Sequence, residues 1–317
     1  MLDIGPDMAT RSVPRLAPWL PLLQRGPGEL QVGIGAEAGL VLSGVPDGVE
    51  QVLQLADGRH TTTELHLQAI RREIEPALID RILRLLQTAG LLIESDAGSS
   101  RLIDLDGLRV RLLGAGVLGS AVARTVLRAG AARLYLVDND PVDPTTHPRA
   151  GLATTQAEAL AVGLDDRVEV VDHWSKPEHS APDLTLIATD LAEPDPAIGD
   201  DFVSTGHRHL YLRPTRGGAV VGPFVHPGRT PCLRCLDLTR RDADPRWPTL
   251  LPQLCRTRLP IDRVLADWAA STAITQVVSD HAGRLPSTLF GTLEMTADEC
   301  EAKFRRWPMH PTCGCAG

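Results

Sequence analysis

Leu108-Arg109-Val110-Arg111-Leu112-Leu113 runs directly into Gly114-Ala115-Gly116-Val117-Leu118-Gly119-Ser120, and this stretch decides the fold. A helix is expected through Arg128, then a strand Leu134–Val137 ending in Asp138. A glycine triad alone is a weak signal. Here it has a strand before it, a helix and a second strand after it, and an acid 19 residues beyond Gly119. That is the context of a nucleotide-binding βαβ unit of the Rossmann type. Gly114 permits the tight turn, Gly116 allows close approach to phosphates, and Gly119 lets helix pack on strand. The helix N-terminus offers free N–H groups to an anion, and Asp138 offers an acceptor to ribose hydroxyls.

Further apolar runs at Val168–Val171 and Leu184–Ala188 continue the strand–helix alternation of a mostly parallel sheet. The C-terminal third reads as less regular, with Pro-rich loops, a helix over about Val264–Val278 and a cysteine-bearing tail.

The run Asp138-Asn139-Asp140-Pro141-Val142-Asp143-Pro144-Thr145-Thr146-His147-Pro148-Arg149 narrows the choice. It resembles the ThiF-type family, the adenylating relatives of ubiquitin-activating enzymes, whose pattern is D-x-D-x-V-E-x-S-N-L-x-R-Q. Asp138, Asp140, Val142 and Arg149 fall in register, with Asp143 for Glu and Thr145 for Ser. The resemblance implies that Arg149 contacts the phosphates of ATP, a role suited to a planar guanidinium. Leu184-Thr185-Leu186-Ile187-Ala188-Thr189-Asp190 matches the family strand ending in Thr-Asp, which implies that Asp190 holds Mg²⁺. The nucleotide residues implied are Gly114, Gly116, Gly119, Asp138, Asp140 and Arg149, with Arg149 and Asp190 catalytic if the protein is active.

The chain also departs from the family. Thr146 stands for the family Asn, Ala150 for the Gln, and Leu191 for the Asn after Thr-Asp. The family lysine used on the triphosphate is missing: no Lys lies between Arg149 and Lys176, and Gln156 sits near its place. Arg111 and Arg167 are substitutes that nothing in the sequence positions. Adenylation needs fixed cations against the developing charge, so the nucleotide site reads as degenerate.

Six cysteines in a long chain without secretory signal suggest metal or free thiols rather than disulfides. Cys232 and Cys235 form one close pair, read as lying in a loop, and Cys313 and Cys315 form another in the tail. Two distant pairs are the arithmetic of a four-cysteine structural zinc site, which ThiF-type proteins also carry. Cys255 and Cys300 have no activating neighbours and read as core or surface thiols. His207, His209, His226 and His310 read as structural.

A Gly/Ser cluster at Ser95–Ser100 separates two domains, 1–100 and 101–317. The first reads as a winged-helix-like α+β unit. Its expected order is an irregular Pro-containing start, a hairpin (30–34 and 39–42), three helices and a closing strand at 91–93. Its stretch from Leu55 through Asp57, Gly58, Thr61 and Glu64 to Leu65 fits L-x-D-G-x-x-T-x-x-E-L. This resembles PqqD-like peptide-recognition elements, which capture the leader of a ribosomally made peptide as an added strand. The strand Leu40–Leu42 and the helix residues Ile82 and Leu86 are the candidate groove walls.

The net charge of −8 and the lack of a basic run speak against DNA, although a winged-helix regulator is one alternative. No apolar run is long enough to cross a membrane, and a cytoplasmic protein is expected. The combined resemblance is to the ThiF-like partner of YcaO-type cyclodehydratases in azole and thiopeptide pathways. It implies a leader-peptide-binding scaffold whose partners are the precursor peptide and the cyclodehydratase, with structural zinc and a homodimer as further expectations. An ATP- and Mg²⁺-dependent adenylyltransferase acting on a peptide or carrier-protein carboxylate is the main alternative. A nicotinamide enzyme is a third, which Arg149 disfavours.

Overall fold

The computed structural model describes residues 13–17, 20–34, 39–93, 104–175, 181–299 and 301–315. The Ser95–Ser100 linker, Lys176 and Cys300 lie outside them. The chain divides into two compact units, Met1–Leu102 and Ile103–Gly317.

In the first unit, β1 (Arg15–Leu16) is followed by β2 (Leu22–Gly26), β3 (Glu29–Val32) and β4 (Leu40–Ser43). The last three form an antiparallel sheet in the order β2-β3-β4. The expected hairpin is β3–β4; β2 is an addition. Pro21 and Pro27, read as irregular, bracket that strand. Pro27-Gly28, with Gly28 at φ 71°, turns β2 into β3, since proline presets φ and glycine supplies the positive φ. Three helices follow, α1 (Val49–Leu53), α2 (Thr62–Ile70) and α3 (Pro76–Thr88), and then β5 (Leu92–Ile93). The closing strand pairs with β1, away from the hairpin. Leu30, Val32, Val52, Leu53, Leu65, Ile79, Ile82 and Leu86 form the buried core of this unit.

The L-x-D-G-x-x-T-x-x-E-L stretch joins α1 to α2. Asp57 accepts from the Arg59 N–H at 2.8 Å and contacts His60 Nδ1 at 3.0 Å, and Gly58 takes φ 80°. Thr61 and Glu64 form a reciprocal capping box. Leu65 is fully buried. Each element of the pattern therefore has a local structural job.

The second unit carries an eight-stranded sheet. Its elements in chain order are β6 (Arg109–Leu113), α4 (Val117–Arg128), β7 (Arg133–Val137), α5 (Gln156–Ala161), β8 (Val168–Val170), β9 (Leu184–Ala188), α6 (Pro196–Ser204), β10 (His209–Thr215), β11 (Gly218–Val225), α7 (Leu233–Ala243), α8 (Trp247–Leu254), α9 (Arg263–His281), β12 (Gly291–Thr296) and β13 (Lys303–Arg306). The strand order is β13-β12-β11-β10-β9-β6-β7-β8. Strands β10, β9, β6, β7 and β8 run parallel, and β11, β12 and β13 extend the sheet antiparallel. This is the α/β Rossmann-like fold expected, with an antiparallel half that the sequence hid. Pro214 and Pro223 sit inside β10 and β11, and proline within a run demotes it as a strand.

Alternate residues of each central strand face opposite layers. Leu112, Leu136, Leu186 and Leu210 pack under α4, α5 and α9. Leu113, Val137, Ile187 and Tyr211 pack against α6 and α7. Burial on both faces explains why β9 is apolar at nearly every position. Among the described residues, no helix is long and apolar enough to cross a membrane.

Candidate functional site

The ends of β9, β6 and β7 meet at the glycine-rich loop. Gly114 has φ 105°, and a Cβ there would strike the Ala188 carbonyl. A Cβ on Gly119 would strike the Gly114 carbonyl. Both glycines thus serve the turn and the helix–strand packing. The neighbour for which Gly116 leaves room is Asp190, whose Oδ2 a Cβ would strike.

Asp190 occupies the start of α4. Its Oδ2 accepts from the Val117 N–H at 2.9 Å and its Oδ1 from the Leu118 N–H at 3.2 Å. Gly116, the N-cap, has no side chain to do this, so a carboxylate from the end of β9 caps the helix. Asp138, just after β7, binds the glycine loop itself: its Oδ2 accepts from Ala115 N at 2.7 Å and its Oδ1 from Asp140 N at 3.1 Å. Burial pushes the carboxyls of Asp138 and Asp190 above the usual range, against the pull of these N–H bonds.

These residues line a cavity of about 180 Å³ together with Asp140, Trp174 and Arg258. Arg258 is the cation among the lining residues, and it pairs with Asp140. Sequence reasoning missed it because it lies 118 residues from its partner, after α8. Arg149 is exposed, lines none of this cavity, and has no ion-pair partner among the described residues. The proposed lysine substitutes are placed elsewhere. Arg111 is buried on β6, where its charge bears on His207. Arg167 holds Asp165 and the carbonyls of Ala131 and Leu127. Gln156, read from the sequence as lying near the place of the missing lysine, is buried at the start of α5, and its backbone N–H donates to the Asp140 carbonyl at 2.9 Å.

The Asp143–Arg149 run is built as a turn. The Asp143 carboxylate accepts from Thr145 N at 2.9 Å and from the hydroxyls of Thr145 and Thr146. His147, buried, reaches back so that its Nε2 lies 2.7 Å from the Ala115 carbonyl. The loop is therefore fastened to the glycine turn.

The four predicted metal ligands converge. The Sγ atoms of Cys232, Cys235, Cys313 and Cys315 all lie within 4.8 Å of one another. The separations are 3.9 Å for Cys232–Cys235, 3.5 Å for Cys232–Cys313 and 3.4 Å for Cys235–Cys315. Sulfurs bound tetrahedrally at ~2.3 Å from zinc sit about 3.8 Å apart, so the set fits a metal ion. Cys232 is the N-cap of α7 and Cys235 lies in its first turn, a helical placement where a loop was expected. The tail is held to α7 by His310 Nε2 and Asp242 Oδ2 at 2.8 Å. Cys255, with its thiol 3.3 Å from the Pro194 carbonyl, is pushed up to about 11 by burial and is no ready nucleophile.

Of the peptide-groove candidates, β4 is an edge strand of its sheet. Ile82 and Leu86 are core residues, at 2% and 0% exposure, and cannot line a groove. They share the helical period of α3 with Leu78 and Leu85, and only packing tells which side faces out. Leu85 does, at 46%. A separate open cleft of about 940 Å³ lies between β1, β2 and the Asp57–Arg59 turn.

Residues 91–159 match the model of the ThiF family. No curated protein sequence matches the chain. Among solved structures, it resembles E. coli MccB with succinimide, with TM-score 0.67 at 17% identity over 96% of this chain and 99% of that one. The microcin C7 biosynthetic enzyme MccB in complex with N-formylated MccA gives 0.66 at 16%, with the same coverage. The heterocyclase TruD gives 0.66 at 16%, over 96% of this chain and 43% of that one. Residues 91–159 are thus similar to the ThiF family, and the chain has the fold of MccB and of the matched part of TruD.

Proposed function

We propose that this chain binds the leader of a ribosomally made precursor peptide and presents it to a YcaO-type cyclodehydratase. The observation that carries the reading is the whole-length likeness to MccB, a protein whose solved complex holds the peptide MccA. The first unit supplies the means: β2 and β4 are sheet edges, and an extended peptide adds to such an edge through main-chain bonds. The cleft beside β2, with Arg15, Asp57 and Arg59 on its walls, adds room for side chains. The four cysteines hold a structural zinc, since four thiolates leave no open position for chemistry. A cytoplasmic homodimer completes the reading.

In this reading the nucleotide site has lost its catalytic use. Val117 and Leu118, whose N–H groups would meet a phosphate, donate to Asp190. No lysine stands in the loop that follows. The test is co-purification of a short cleavable precursor peptide, identified by mass spectrometry, and its loss on deleting residues 1–95. Failure of every candidate precursor to bind the intact chain would sink the reading.

A second reading, an active adenylyltransferase, draws support from the meeting of Asp138, Asp140 and Asp190 at one cavity. There Asp190 would hold Mg²⁺, and Arg149, which lines none of that cavity, would contact ATP only from outside it. Pyrophosphate exchange well above that of an Asp190→Ala control would favour it over the scaffold.

A further inference from the structure

The cavity at the glycine loop has three carboxylates on its walls, Asp138, Asp140 and Asp190, and one guanidinium. An anionic ligand can enter only against that imbalance, so the position of the single cation matters. Arg258 is fixed by its backbone. It forms a bridge with Leu191, and on either side Ala192 N donates to the Thr257 carbonyl at 2.8 Å and Leu259 N to the Asp190 carbonyl at 2.9 Å. The segment 257–259 is therefore held by a single antiparallel bridge beside the residues that follow β9. Asp140 follows β7, and β6 with its glycine loop lies between β9 and β7. The Arg258 side chain thus spans the mouth of the cavity, from one flanking strand to the other, to reach Asp140.

Three features make this a transferable contact. Both partners are about half exposed, and exposed ion pairs contribute little to stability. A phosphate offers the same guanidinium a second pair of oxygens and more charge. The N–H groups at the start of α4 are already taken by Asp190, which directs a phosphate away from the helix and toward the mouth.

We infer that Arg258 is the phosphate-binding cation of this cavity, held by Asp140 in the unliganded chain and transferred to the phosphate of an entering nucleotide. It stands in for the lysine missing from the Arg149–Lys176 interval as a binding group. It does not restore the adenylation chemistry. The inference rests on the cavity taking a nucleotide and is independent of peptide binding.

The full-length chain is titrated with ATP and, separately, with adenosine by calorimetry. Arg258→Ala is expected to weaken ATP at least tenfold and to leave adenosine within twofold. Three outcomes overturn the inference: unchanged ATP affinity in Arg258→Ala, equal losses for ATP and adenosine, or no ATP binding by the wild-type chain. Precursor-peptide binding by Arg258→Ala, measured alongside, stays at the wild-type level and separates this result from the fate of the peptide reading.

Discussion

Asp190, at the end of β9, caps α4 by accepting from the Val117 N–H at 2.9 Å, so the helix that opens the nucleotide motif carries its own anion. Asp190→Ala is expected to cost about 1 kcal/mol, the usual value of an N-cap. In a domain of this size that lowers Tm by roughly 2–4 °C. Asp190→Asn keeps an acceptor and removes a buried charge, so its Tm should stay near that of the wild type. A melt of the three proteins at pH 7 checks this; an Asn variant as unstable as the Ala variant would show that the negative charge itself is needed.

The four sulfurs sit on two segments about 80 residues apart. Purified protein should contain one zinc per chain by elemental mass spectrometry, and Cys235→Ala should lose it. The loss should cost several kcal/mol. That is less than the ~10–16 kcal/mol of small zinc-finger peptides, because those fold only around their metal. Limited proteolysis should then cut the Trp307–Cys315 tail, and retention of the tail in the metal-free variant would count against a structural zinc.

His209, at the start of β10, is fully buried between Phe202 and Tyr211, and burial lowers its pKa to about 4. The unfolded chain titrates near 6.5 and so binds a proton that the folded one refuses. Stability is therefore present above about 6.5 and is lost as pH falls toward 4. For His209 alone the loss between pH 7 and pH 5 is roughly 2 kcal/mol. His207, also lowered to about 4 by burial, acts in the same direction. Denaturant melts across this range should show the slope, and His209→Phe should flatten it. An unchanged slope in that variant would place the titrating group elsewhere.

Thr61 accepts from Glu64 N at 3.3 Å and caps α2. Thr61→Ala should destabilise the first unit by about 1 kcal/mol while leaving the peptide affinity of the folded protein within twofold. A large loss of affinity without loss of stability would mean that this stretch touches the peptide directly.

The sequence by itself determined the βαβ unit, because glycine spacing and apolar runs are local signals: β9 falls on the predicted Leu184–Ala188. It also determined the four cysteines, because thiols paired at short range have few other uses in such a chain. Tertiary structure alone decided what each of these residues touches. Gly116 makes room for Asp190, a neighbour 74 positions away that spacing cannot reveal. Ile82 and Leu86 share a helical period with Leu85, and packing buried the first two and exposed the third. Arg258 reaches the cavity at the glycine loop because a segment after α8 returns to bridge Leu191, beyond the end of β9, whereas Arg149, in register with the family pattern, stays outside it. The Leu108–Asp138 stretch was legible because its signals lie within one continuous segment. The charges that govern its cavity were not, because chain segments far apart in sequence bring them there.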